Sequence, residues 1–240
     1  MVLFFIAAQA SFFMLGIALI GILQKMKVTG FHSYQDFGNP IVATLSFQGV
    51  TWLLIPIFLR LHGVGIRDAF GLKKGWPTSL LLALAVIVVV FPIAEVLASV
   101  SSLILAKLGI PFQEEEAVVL VTGAKAFWMK AYLAFFTVVM APVAEEFIFR
   151  GVLYTFIKQM GYPKLALFGV SAAFALIHGS APLALSLFVL ALVLTWLYEK
   201  TDNLLASIMT HSLFNFVGLL ALYFQDPLNQ FLQKIHTHLP

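Results

Sequence analysis

Sulfur chemistry and charge are what this 240-residue chain has least of. It contains no cysteine, which excludes disulfides, thiolate nucleophiles and cysteine-ligated metals together. Charged residues make up 10% of it, against about 25% in a soluble domain. Hydrophobic residues make up 61%, and the mean hydropathy is +1.00. A chain this poor in polar side chains cannot cover a water-facing surface, so its solvent is the bilayer. The net charge is only +3, with basic residues mostly at the ends of apolar stretches. That distribution suits membrane anchoring and argues against a nucleic-acid partner.

Three familiar hydrolase signatures are also missing. The chain has no Gly-x-Ser-x-Gly and no His-Glu-x-x-His, the helical zinc signature. Its aspartates are Asp36, Asp68, Asp202 and Asp226, all in expected loops, so an intramembrane aspartate pair is not expected either. Glutamate and histidine remain.

Apolar stretches cover about 2–23, 41–59, 79–108, 127–157, 165–177, 182–198 and 203–224. The expected fold is all-α, a polytopic transmembrane helical bundle of seven to eight spans. Residues 1–240 are read as one integral membrane domain, with a motif-bearing core over about 127–224. No basic residue precedes the first stretch, and Lys25 and Lys27 follow it, so it is read as a retained span rather than a cleaved leader. The third stretch exceeds a bilayer core of about 30 Å at about 1.5 Å per residue, with Pro92 as the expected kink. Gln113-Glu114-Glu115-Glu116 is read as a loop or surface helix, and the residues after 224 as a polar tail.

Against this apolar background, three pieces carry ionisable groups: Glu145-Glu146-Phe147-Ile148-Phe149-Arg150, Phe174-Ala175-Leu176-Ile177-His178, and His211-Ser212-Leu213-Phe214-Asn215. Such groups are costly in lipid, so they face a protein interior or a wet cavity and mark function. At about 100° per residue, Glu146 and Arg150 share a helix face and can form an ion pair. Glu145 points about 100° away, toward another helix. His211 and Asn215 also share one face. Together these groups supply a base, a water-holding imidazole and donors for an oxyanion, which is enough to hydrolyse an amide without a protein nucleophile.

The three motifs, Glu145-Glu146-x-x-x-Arg150, Phe174-x-x-x-His178 and His211-x-x-x-Asn215, resemble those of the CAAX-protease and bacteriocin-processing family. It is also called the Abi family and includes the Ras-converting prenyl-protein protease. The segments EEFIFRGVLY, from Glu145 to Tyr154, and SIMTHSLFNF, from Ser207 to Phe216, look like those of its bacterial members. The resemblance covers about residues 127–224; the amino-terminal half is similar only in being hydrophobic. It implies an intramembrane glutamate protease of a prokaryotic cell membrane. In it, Glu145 activates water, His178 helps to hold that water, His211 and Asn215 stabilise the oxyanion, and Glu146 and Arg150 support the site. No cofactor and no metal are implied. The implied substrate is a peptide or protein near the membrane surface, prenylated and CAAX-like, or bacteriocin-like and without lipid.

Two other classes fit the same residues. One is a non-catalytic membrane protein, such as an immunity factor that binds a peptide or partner. The other is a proton- or metal-coupled transporter, since Glu and His chains also serve as relays; the chain shows no inverted repeat of the kind transporters carry. A zinc site of Glu145, His178 and His211 is chemically allowed. Blander readings stand beside these. Glu146 and Arg150 make a structural buried pair with or without catalysis, and Phe147, Phe149 and Phe174 are packing residues. Glu95 is a structural polar contact, Glu114 to Glu116 are a solvated face, and His32, His62, His236 and His238 sit in loops or the tail.

Overall fold

The computed structural model describes residues 2–31, 38–70, 75–112, 120, 123–124 and 126–238, with side chains described to residue 224. Gln113 to Glu116, His32, Asp36 and the side chains of Asp226, His236 and His238 lie outside this description. Among the described residues there is no strand. Seven helices carry the fold: α1 (Val2–Lys25), α2 (Gly38–Leu61), α3 (Trp76–Lys107), α4 (Phe127–Gln159), α5 (Pro163–Ile177), α6 (Ala184–Thr201) and α7 (Leu204–His238). All but α5 are long and apolar enough to cross a membrane. The chain is an all-helical integral membrane protein. The seven apolar stretches of the sequence map onto the seven helices, with α5 the short one. The polar tail expected after Phe224 instead continues α7 to His238. Leu228, Phe231, Leu232 and Ile235 recur there at three- and four-residue intervals, a helical period.

α4 is the central element. Of its apolar window 44% is buried, against 17% for α1 and α2 and 22% for α3, so it takes neighbours where they take lipid. It packs against α2, α5 and α7, while α3 packs against α6 and α7. Phe147 on α4 meets Phe5 of α1, Phe58 of α2 and Phe70, with ring centroids 5.8–6.1 Å apart. This aromatic cluster joins the amino-terminal helices to α4, and such pairs add stability beyond their buried area.

Among the described residues, three wide-turn segments interrupt these helices, at Leu45–Gly49, Phe136–Met140 and Phe147–Tyr154. In the first two the backbone N–H reaches back five residues: Val50 donates to Leu45 O and Ala141 to Phe136 O. A wide turn leaves a carbonyl in need of a donor. In the first, Phe47 O accepts a backbone N–H and in addition Gln9 Nε2 of α1 at 2.8 Å and Thr51 Oγ1 at 2.7 Å. In the third, Arg150 O accepts from Thr155 Oγ1 at 2.8 Å.

Chain punctuation positions the two histidine-bearing elements. α5 stops because Gly179 adopts φ +65°, a left-handed helix end that suits glycine, which leaves His178 at the helix terminus. α7 starts at Asn203, whose Oδ1 accepts from Leu205 N at 2.9 Å and whose Nδ2 donates to Ser79 Oγ of α3 at 3.1 Å. That is a side-chain N-cap that also ties α7 to α3.

Phe5, Gln9 and Gly16 form the buried stripe of α1. A Cβ on Gly16 would fall on the Ser46 side chain of α2, whereas one on Gly21 meets nothing within 4 Å. Small residues of this kind let membrane helices approach closely. Gly16→Leu is expected to lower Tm by several degrees in detergent, and Gly21→Leu to leave it unchanged or raised. Thermal melting of the two variants side by side checks this; equal melting would mean that α1 does not dock through Gly16.

Candidate active site

Two consecutive acids on α4 leave the helix in different directions, as their spacing requires, and the fold gives each a different set of neighbours. Glu146 and Arg150 are completely buried. Arg150 Nη1 donates to Glu146 Oε1 at 2.8 Å, the ion pair expected from the four-residue interval. The rest of the guanidinium is spent on tertiary contacts. Nη2 donates to Ala191 O at 3.0 Å and Nε to Thr195 Oγ1 at 3.4 Å, both on α6. Its carbon lies 4.9 Å from the ring centroid of Phe174 on α5, a cation–π distance. Arg150 thus ties three helices together, the multi-donor and planar work for which arginine is suited. Ala191 and Thr195 carry no signal in the sequence, since one contributes only its backbone and the other reads as an ordinary helix residue.

Glu146 Oε1 has a second donor. His211 Nδ1 lies 2.9 Å from it, reaching across from α7. A carboxylate only accepts, so Nδ1 carries the proton. In the neutral ring, Nε2 then has a lone pair, and it lies 3.8 Å from Glu145 Oε2. His178 repeats the arrangement from α5: its Nδ1 donates to Phe174 O at 2.7 Å, and its Nε2 lies 4.0 Å from the same Glu145 oxygen. Phe174 O belongs to the last turn of α5, where carbonyls lack intrahelical donors, so the histidine caps its own helix while turning Nε2 inward.

Three acceptors therefore converge: one carboxylate oxygen and two imidazole nitrogens, on three helices. Their separations are too long for direct hydrogen bonds and suit a small donor shared between them. Glu145 is 8% exposed and His211 2%, whereas His178 is partly exposed. With both imidazoles neutral, the two glutamates outnumber the one arginine, and a single added proton balances the cluster. Phe174, fully buried, forms its floor. Its ring meets His178 at 4.8 Å, His211 at 5.5 Å and Phe149 at 5.2 Å between centroids, which agrees with its reading as a packing residue.

The structure brings Glu145, Glu146, Arg150, His178 and His211 into one cluster. Asn215, one turn beyond His211, also faces α4 but at another level: its Nδ2 donates to Thr137 O at 2.8 Å. One of its two N–H groups is thereby engaged. Glu95 is exposed on α3 rather than held in a buried polar contact. Among the described residues, no group of three or more His, Cys, Asp or Glu has the arrangement of a metal site.

Comparison with known proteins bears on the same segment. Residues 127–217 match the family model Rce1-like, described as type II CAAX prenyl endopeptidase Rce1-like, and this stretch contains all three motifs. A match to the UPF0177 protein YxdF of Lactococcus lactis subsp. lactis (strain IL1403) is 32% identical over 81 residues, taking in 33% of this chain and 44% of that protein. No solved structure matches the chain. The family resemblance read from the motifs is shown by these matches.

The buried ion pair and the surface pair make a matched test. Lys158 Nζ and Glu199 Oε1 form an exposed pair, of a kind worth about 0–1 kcal/mol. Removing one partner of a buried pair costs about 3–5 kcal/mol, because the other charge is left uncompensated. Glu146→Gln is expected to lower Tm strongly and Glu199→Gln hardly at all, measured by melting in the same detergent. Equal effects would show that Arg150 is not neutralised by Glu146.

Proposed function

We propose that this chain, whose residues 127–217 are of the Rce1-like family, is an intramembrane endopeptidase that hydrolyses a peptide bond with water activated by Glu145. The observation that supports this reading is the convergence of Glu145 Oε2 with Nε2 of His178 and Nε2 of His211. Glu145 Oε2 and His178 Nε2 suit a water that donates one hydrogen to each, with its lone pair left for the scissile carbonyl, while a proton on His211 Nε2 makes the third group a donor.

In the working state His211 is the charged imidazolium, which balances the cluster. Glu146 against its Nδ1–H then plays the part that the buried carboxylate plays in a Ser-His-Asp triad: it orients the ring and supports its charge. As the water oxygen bonds to the carbonyl carbon, its proton passes to Glu145, and the C=O electrons move to the oxygen. The oxyanion is met by His211 Nε2–H and by the second N–H of Asn215. Collapse re-forms the carbonyl and breaks the C–N bond, and Glu145 returns the proton to the leaving amine. Arg150 and Glu146 hold the elements in register. The proposed substrates are peptides presented near the membrane surface, prenylated and CAAX-like or bacteriocin-like.

Glu145→Gln keeps the shape of the side chain and removes the base. Turnover is expected to fall about 10²–10⁴-fold, with Tm close to wild type. The assay takes the purified protein in detergent against a panel of prenylated and plain peptides. Near wild-type cleavage by Glu145→Gln would remove Glu145 from the base role. A wild-type protein that binds a peptide and cleaves none would favour a non-catalytic binding protein.

The competing reading left open by the sequence is a zinc site of Glu145, His178 and His211, an arrangement that is not found among the described residues. Ring nitrogens anchored at Nδ1 are also the usual arrangement behind metal-bound histidines. Cleavage is expected to survive exhaustive chelation. Loss of activity with chelator and its return with stoichiometric zinc would turn these residues into ligands.

A further inference from the structure

Thr137 O is a carbonyl that its own helix cannot serve. In an ordinary α-helix its donor would be the N–H of residue 141, but Ala141 donates to Phe136 O in the wide turn. Continuing that five-residue register, the next donor would come from residue 142, which is Pro142 and has no N–H. Both intrahelical partners are gone, and the donor arrives from another helix: Asn215 Nδ2 of α7, at 2.8 Å. In a membrane bundle an unserved carbonyl is expensive, and water is not at hand to serve it.

The placement gives this bond a role in the site. α4 and α7 meet at two polar points, Glu146 with His211 and Thr137 with Asn215. Moving from His211 to Asn215 along α7 runs from Glu146 back to Thr137 along α4, so the helices cross antiparallel there. One point of attachment leaves α4 able to pivot; two fix its tilt. Glu145 follows Pro142 by three residues, on the stretch between the two attachments.

We infer that Thr137, Pro142 and Asn215 form a latch, in which the amide of Asn215 replaces the N–H that Pro142 lacks and positions Glu145 against His211. Asn215 is then a positioning residue through its bond to Thr137, whatever its second N–H does. The catalytic consequence rests on the peptidase reading; the latch itself does not.

The test is a double-mutant cycle of Asn215→Ala and Pro142→Ala in the full chain in detergent, read by Tm and by kcat and KM on a farnesylated CAAX peptide and its plain counterpart. Asn215→Ala should lower Tm by several degrees and kcat by about 10²-fold, the scale of a misplaced reacting group, with KM little changed. Pro142→Ala restores an N–H to the helix. In the Asn215→Ala background it should recover Tm and raise kcat part of the way, the remaining deficit being the share lost with the oxyanion N–H of Asn215. If Asn215→Ala does not fold, recovery of monodisperse protein by adding Pro142→Ala supports the latch equally. Additive Tm effects would overturn it. Recovery of Tm with kcat still lost would overturn the positioning role and leave Asn215 to the oxyanion alone. If wild-type protein cleaves neither peptide, the peptidase reading fails at these substrates, and the Tm cycle decides the latch by itself.

Discussion

Oε1 of Glu146 accepts from Arg150 at 2.8 Å and from His211 at 2.9 Å, and both the acid and the arginine are cut off from solvent. In such a medium an uncompensated charge is far more costly than in water. The helices that supply these groups are therefore held where the charges can meet. α4 brings the acid and the base, α7 the imidazole, α6 the carbonyl and hydroxyl that finish the guanidinium, and α5 the aromatic face beneath it. Separating any of these elements would leave a charge without its partner. Ordinary apolar packing could not impose this, because lipid tails and leucine side chains are nearly interchangeable neighbours in a membrane.

The same constraint divides the labour between the adjacent glutamates. A helix turns about 100° per residue, so two successive side chains cannot share one pocket. Glu146 is committed to the arginine and one histidine. Glu145 instead looks onto the Nε2 atoms of two histidines, each held at its other nitrogen by a hydrogen bond made elsewhere. Fixing Nδ1 is what aims Nε2, so the geometry around Glu145 is set by contacts that Glu145 does not make.

Backbone irregularity belongs to this arrangement. α4 carries wide turns at Phe136–Met140 and Phe147–Tyr154 and a proline at 142, all within ten residues of Glu145 and Glu146. Wide turns occur frequently at functional sites, and here the first of them leaves a carbonyl for the helix that carries His211. The amino-terminal pair, α1 and α2, is joined by Gln9 Nε2 on Phe47 O but holds none of the clustered ionisable groups. It meets α4 through the Phe5, Phe58 and Phe147 rings, as a buttress.

Much of this was legible in the residues. Hydropathy is summed along the chain, so composition and run length alone determine a helical membrane protein, and the seven apolar stretches fall on the seven helices. The Glu146–Arg150 pair was determined as well, because partners four apart on one helix meet whatever the rest of the chain does. The three motifs also sufficed to place residues 127–217 beside a known family. What only the tertiary structure decided lies between helices. That His211 grips Glu146 rather than Glu145, that Ala191 and Thr195 complete Arg150, and that Asn215 serves Thr137 depend on rotation and crossing of helices far apart in sequence. The reason is physical: an intrahelical neighbour is dictated by the period of the helix, whereas a carbonyl left unserved by a wide turn and a proline can be satisfied only by whichever donor the packing brings to it.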